Sequence, residues 1–113
     1  MSATEYRVGK NEALFREVNE RIRSVSEDWA KGDRTSRIEF VCECSRDSCF
    51  ETVALTVTEY EEVRSDSRRF LIVTGHVWSP EVEREVHRNG AYSIVEKHGE
   101  AGEIAEDEDD RTN

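Results

Sequence analysis

Three cysteines stand within eight residues, at Cys42, Cys44 and Cys49, and the 113-residue chain has no other. This C-x-C-x4-C cluster constrains the fold more than any other feature. Three soft ligands that close on one ion force the backbone to turn back on itself. The odd cysteine count argues against a disulfide framework, and Met1 to Tyr6 has no basic and apolar signal layout, so the thiols are expected to be reduced and the protein cytoplasmic. Reduced thiolates ligate soft or borderline metals. Tetrahedral zinc takes four Cys or His ligands, so the pattern implies one zinc per chain with a fourth ligand from elsewhere. A protein ligand makes the site structural, whereas water leaves a position open for chemistry.

The flanks of the cluster read as a hairpin. Ile38, Phe40 and Cys42 alternate with Glu39, Val41 and Glu43 on the way in, and Val53, Leu55 and Val57 alternate with Thr52, Ala54 and Thr56 on the way out. Ser45, Asp47 and Ser48 supply turn chemistry between them. Strand pairing on both sides would hold the three thiols together at little entropic cost when metal arrives.

Of the three histidines, His76 is the leading candidate for the fourth ligand. It follows the expected strand Phe70 to Val73 through Thr74-Gly75, and the glycine frees the chain to turn. His98, after the last expected strand, is the second candidate, and His87 reads as a surface residue among Glu85 and Arg88. An iron-sulfur cluster is the alternative cofactor, although Cys3His cluster proteins place their histidine just after the last cysteine, where this chain has none.

At 35% hydrophobic and 37% charged residues, the chain suits one small domain with a modest core, which a structural metal would reinforce. No apolar run is long enough to span a membrane. The net charge is -10, and the segment from Glu100 to Asn113 holds seven acids against Arg111 alone, a net -6. Such a run reads as a solvated, disordered tail over residues 99-113, and residues 1-10 as a flexible N-terminus. The basic residues are interleaved with acids, so direct nucleic-acid binding is not expected.

From Asn11 to Lys31, Leu14, Val18, Ile22, Val25 and Trp29 recur at steps of four and three, an apolar stripe along one amphipathic helix with Asn11 as its cap and Gly32 at its end. The stripe is expected to pack on a sheet. The same spacing fits a and d heptad positions, so a homodimer seam along this helix stays open. Further on, Thr58 to Val73 and Pro80 to Val95 form a weak repeat offset by 22 residues, with Glu59, Glu61, Ile72 and Val73 recurring as Glu81, Glu83, Ile94 and Val95. Both units read as a short helix followed by a strand. Thr58 with Glu61 would form a capping box in the first; Ser79 and Pro80 would open the second, and Asn89-Gly90 would close it.

Catalytic motifs are thin. A Gly-rich phosphate loop, a G-x-S-x-G elbow and H-E-x-x-H are all absent from the sequence. A metal-dependent hydrolase would need an open fourth position, with Glu43 or Asp47 as general base. The cluster spacing resembles the zinc knuckle that follows the SET domain of histone methyltransferases, over eight residues only. Over residues 11-104, N-E-A-L-F-R-E-V-N-E-R-I, F-V-C-E-C with Cys49, L-T-V-T-E-Y-E-E-V-R, G-H, P-E-V-E and V-E-K-H-G-E-A resemble a family of small uncharacterised bacterial proteins. That resemblance implies a cytoplasmic bacterial protein with a shared fold and no stated activity; the family carries a proline where this chain has Thr74.

The sequence therefore predicts a single α+β domain over residues 11-98. A long N-terminal helix lies on a mostly antiparallel sheet of about four strands, with two short helices and a zinc knuckle at a hairpin turn. Cys42, Cys44, Cys49 and His76 are the expected metal ligands. Its expected role is a non-catalytic interaction or regulatory module for a protein partner, with Glu43, Arg46, Asp47 and Phe50 displayed around the knuckle and Trp78 nearby. A thiol-based redox or metal sensor is the alternative.

Overall fold

A computed structural model describes residues 14-26, 36-44, 49-76, 81-109 and 111. Within them the chain is α+β. Helix α1 covers residues 14-26, followed by β1 (Arg37–Val41), β2 (Thr52–Thr56), α2 (Val57–Arg64), β3 (Arg69–Val73), β4 (Glu83–Arg88), β5 (Tyr92–Lys97) and α3 (Gly99–Asp107). The strands form an antiparallel β1-β2 pair and an antiparallel sheet in the order β3-β5-β4. No helix among the described residues is long and apolar enough to cross a membrane. The flexible stretch expected over residues 1-10 lies outside the described residues.

The first hairpin follows its alternation. Phe40 pairs with Val53 and Ile38 with Leu55, which turns Phe40, Val53 and Leu55 into the core. Phe40 stacks on Tyr60 of α2 with centroids 4.4 Å apart, and Val63, Leu71 and Tyr92 complete that cluster. The capping box of α2 forms at Thr56 and Glu59, two residues before the expected pair. Both pairs carry the required spacing. Glu61 instead faces Arg23 and Arg111, leaving Thr56 and Glu59 to cap.

The second repeat unit departs from expectation. Residues 83-88, read as a helix, are strand β4, paired with β5 and carrying an irregularity between Glu85 and His87. Tertiary pairing overrides the helix-start signal, because the Asn89 side chain accepts from the N–H groups of Ala91 and Tyr92 and closes a hairpin. Glu83 ion-pairs with Lys97, both side chains buried.

Helix α1 is turned away from its expected face. Leu14, Val18 and Val25 are 57%, 39% and 55% exposed, and only Ile22 of the described stripe packs against the core. The buried face is polar. Arg16 donates to the carbonyls of Ser67 and Ala105, both at 2.6 Å, and lies 4.5 Å over the Phe70 ring. Asn19 accepts from the Val41 N–H at 2.8 Å, and its amide donates to the Val41 carbonyl and to Glu43. The free edge of β1 carries unpaired backbone groups, which an apolar stripe cannot satisfy and a carboxamide can. Trp29 lies outside the described residues.

The acidic tail, expected to be solvated, contains α3. Ala101, Gly102 and Ala105 form a small buried face, and a Cβ at Gly102 would come within 3.0 Å of the Lys97 carbonyl oxygen. Arginines neutralise the acids. Arg68 meets Glu106 at 2.6 Å, and fully buried Arg64 meets Asp109 and also Glu20 on α1. Arg111 bridges Glu20 and Glu61. Burial by itself would raise Glu20 and Asp109, but hydrogen bonds from Arg111 and Arg64 outweigh it and hold both below the usual carboxylate range.

Because these folded-state values are depressed, their stabilisation is complete above the unfolded carboxylate range and is lost as pH falls through the folded values. Asp109→Ala, which removes one partner of a buried cation, is expected to cost about 3 kcal/mol in chemical denaturation. The mutant's stability should also vary less with pH on the acid side than that of the parent chain.

Candidate metal centre

The hairpin turn holds its cysteines from both sides. The Cys42 N–H donates to the Glu51 carbonyl at 3.0 Å, one step beyond the Val41–Thr52 pair, and so extends the register into the loop. Glu43 then fastens the loop to β3. Its N–H donates to the Leu71 carbonyl at 2.7 Å, and its carboxylate accepts from the Leu71 N–H at 2.8 Å and from Asn19 at 2.7 Å. With Glu43 directed inward between them, Cys42 and Cys44 join Phe70, Ile72, Val95 and Ala105 in a second core cluster.

His76 arrives from the end of β3. Its N–H donates to the Val73 carbonyl at 3.0 Å, and Gly75 sits at φ +95°, so a turn with a left-handed third residue swings the imidazole over the hairpin. Thr74 ties this turn to the neighbouring hairpin by donating to the Asn89 carbonyl at 2.9 Å.

The imidazole Nδ1 lies 3.6 Å from Cys42 Sγ, 3.8 Å from Cys44 Sγ and 3.7 Å from Cys49 Sγ. One ring nitrogen carries at most one proton and cannot satisfy three sulfurs through it. Near-equal separation is what a shared tetrahedral ion imposes: Zn–S of about 2.3 Å and Zn–N of about 2.0 Å place nitrogen and sulfur about 3.5 Å apart. All four ligand atoms fall within 4.8 Å of one another, so the group could hold a metal ion. The other ring nitrogen, Nε2, lies 2.9 Å from Glu51 Oε2. A proton held there leaves the Nδ1 lone pair facing the sulfurs, the usual arrangement of a carboxylate behind a ligating histidine.

The surroundings of the site oppose ionisation of its thiols. A hydrogen bond with Cys44 and burial raise the Cys42 thiol far above its ordinary value, and burial raises Cys49. Without a positive charge the thiols stay protonated, and thiolate ligation requires that they lose those protons.

The structure brings together the three cysteines and His76. It leaves the other two histidines elsewhere: His98 occupies the N-cap position of α3 without a side-chain cap bond, and His87 on β4 packs against the Tyr92 ring. Glu43, expected on the surface, is fully buried, and burial raises its carboxyl. Its carboxylate is already engaged by Asn19 and Leu71, which removes it as a base for bound water. Phe50 is displayed as expected; Arg46, Asp47 and Trp78 lie outside the described residues. Sequence reasoning missed Glu51, because a glutamate at the start of a strand gives no local sign that it faces a histidine 25 positions on.

No family model matches the chain, and neither a curated protein nor a solved structure does. The resemblance seen in the sequence therefore rests only on the motifs that carry it.

Cobalt(II) titration is expected to give one ion per chain with thiolate charge-transfer bands. Affinity should rise with pH, because each raised thiol must release a proton on binding. Glu51→Ala should weaken binding about 10- to 100-fold and leave the stoichiometry unchanged.

Proposed function

We propose that the chain is a small cytoplasmic zinc protein, with one structural zinc per chain, that acts as a non-catalytic interaction or regulatory module. The observation that carries this reading is the single His76 nitrogen nearly equidistant from three sulfurs. Four protein ligands complete a tetrahedron and leave no position for water or substrate, as in structural zinc sites. An iron-sulfur cluster divides its ligands between two or more irons, which fits four donors gathered about one point less well.

In this role zinc replaces packing that a small core lacks and fixes the loop that presents Phe50. A protein partner would read that loop. Its partner-facing chemistry is apolar, because Glu43 is turned inward and Phe50 projects into solvent.

A redox or metal sensor is the second reading, supported by the half-buried Cys49 at the rim of the site. Reversible zinc release under mild oxidant, with recovery on thiol reduction, would favour it.

Elemental analysis of protein purified without added metal is expected to give about one zinc per chain. His76→Ala should lose or greatly weaken that zinc, and His98→Ala should retain it. Iron with visible colour would overturn the zinc assignment, and absence of any metal would overturn the site.

A further inference from the structure

Among the described residues, the exposed large apolar side chains are Leu14, Val18, Val25, Phe50 and Val86. Three of them lie on α1. Phe50 belongs to the same surface, because Phe15, Val18, Val41, Cys42, Cys49 and Phe50 line one open groove of about 260 Å³. The apolar stripe of α1 therefore continues into the metal loop as a single patch.

That patch carries both a knob and a hole. Phe50 is 88% exposed at the rim of a groove floored by aliphatic, aromatic and sulfur atoms. A surface that presents both halves of a contact is self-complementary, and two copies related by a two-fold axis use each half once. The charges agree. Glu17 and Arg21 flank the stripe, paired within the helix at 3.5 Å, with Arg21 exposed and Glu17 half-exposed. When two α1 helices run antiparallel with Leu14 opposite Val25, Glu17 of each copy comes beside Arg21 of the other. A uniformly basic or acidic partner would meet one of these two residues with like charge. The acidic α3 lies on the other side of α1, where Arg16 reaches the Ala105 carbonyl.

We infer that this face binds a second copy of the chain, forming a two-fold dimer in which the α1 stripes pair antiparallel and each Phe50 enters the groove of the other copy. The inference rests on the interaction-module reading above and names its partner.

Sedimentation velocity on the full, zinc-loaded chain over a concentration series tests it, with metal content measured in the same samples. The expected species has twice the chain mass. Phe50→Ser and Val18→Glu, both at solvent-exposed positions, should raise the dimer dissociation constant at least about thirtyfold while retaining the metal. Glu17→Arg should weaken the dimer, and adding Arg21→Glu should restore it. A metal-bound wild type that stays monomeric at its highest soluble concentration would overturn the dimer and leave the zinc site standing, as would variants that dimerise like wild type. A metal-free chain that still dimerises with the same sensitivity to Phe50→Ser would support the dimer and count against the zinc.

Discussion

Glu43 is the residue on which the architecture turns. It lies between two cysteines, is completely buried, and bonds at once to the backbone of β3 and to Asn19 of α1. A buried carboxylate is tolerated only where its lone pairs are met, and here each oxygen has a donor. Through that one side chain the first hairpin, the β3-β5-β4 sheet and the N-terminal helix are held in register. The inward turn of Glu43 also leaves Cys42 and Cys44 beside the position that His76 reaches.

The same logic extends across the packing of the helices. Arg16, Asn19 and Arg64 are buried polar groups whose partners come from segments far away in sequence. Truncating one member of such a network leaves the others uncompensated, whereas an apolar replacement of the whole network can be neutral. These groups therefore specify which faces meet more than they add to stability. An apolar stripe could slide against a sheet; a carboxamide that both donates to and accepts from Val41 cannot.

The candidate metal centre is continuous with the core. Cys42 accepts a hydrogen bond from the Val73 N–H at 3.2 Å, so its sulfur is oriented by the strand that delivers His76. Backbone donors to a ligand sulfur favour thiolate and orient it toward the ion. With two ligands buried and two at the rim, the site joins the interior to the surface that carries Phe50.

Much of the site was legible in the sequence. Three clustered thiols, the alternation of both flanking strands and a glycine beside a histidine are local signals, and the first hairpin and the His76 turn follow them. The second repeat unit was misread because its helix-start residues are local too, and pairing with β5 outweighed them. Order in the acidic tail was hidden because Arg64, Arg68 and Arg111 had to be brought to it. Local pattern thus sufficed for the three clustered thiols and the hairpin that carries them, with His76 favoured over His98, since spacing and period act over a few residues. Long-range packing set the rest: α1 buries its polar face, α3 closes the fold and Glu51 stands behind His76. Each of those depends on polar groups meeting partners distant in the chain, which no local pattern encodes.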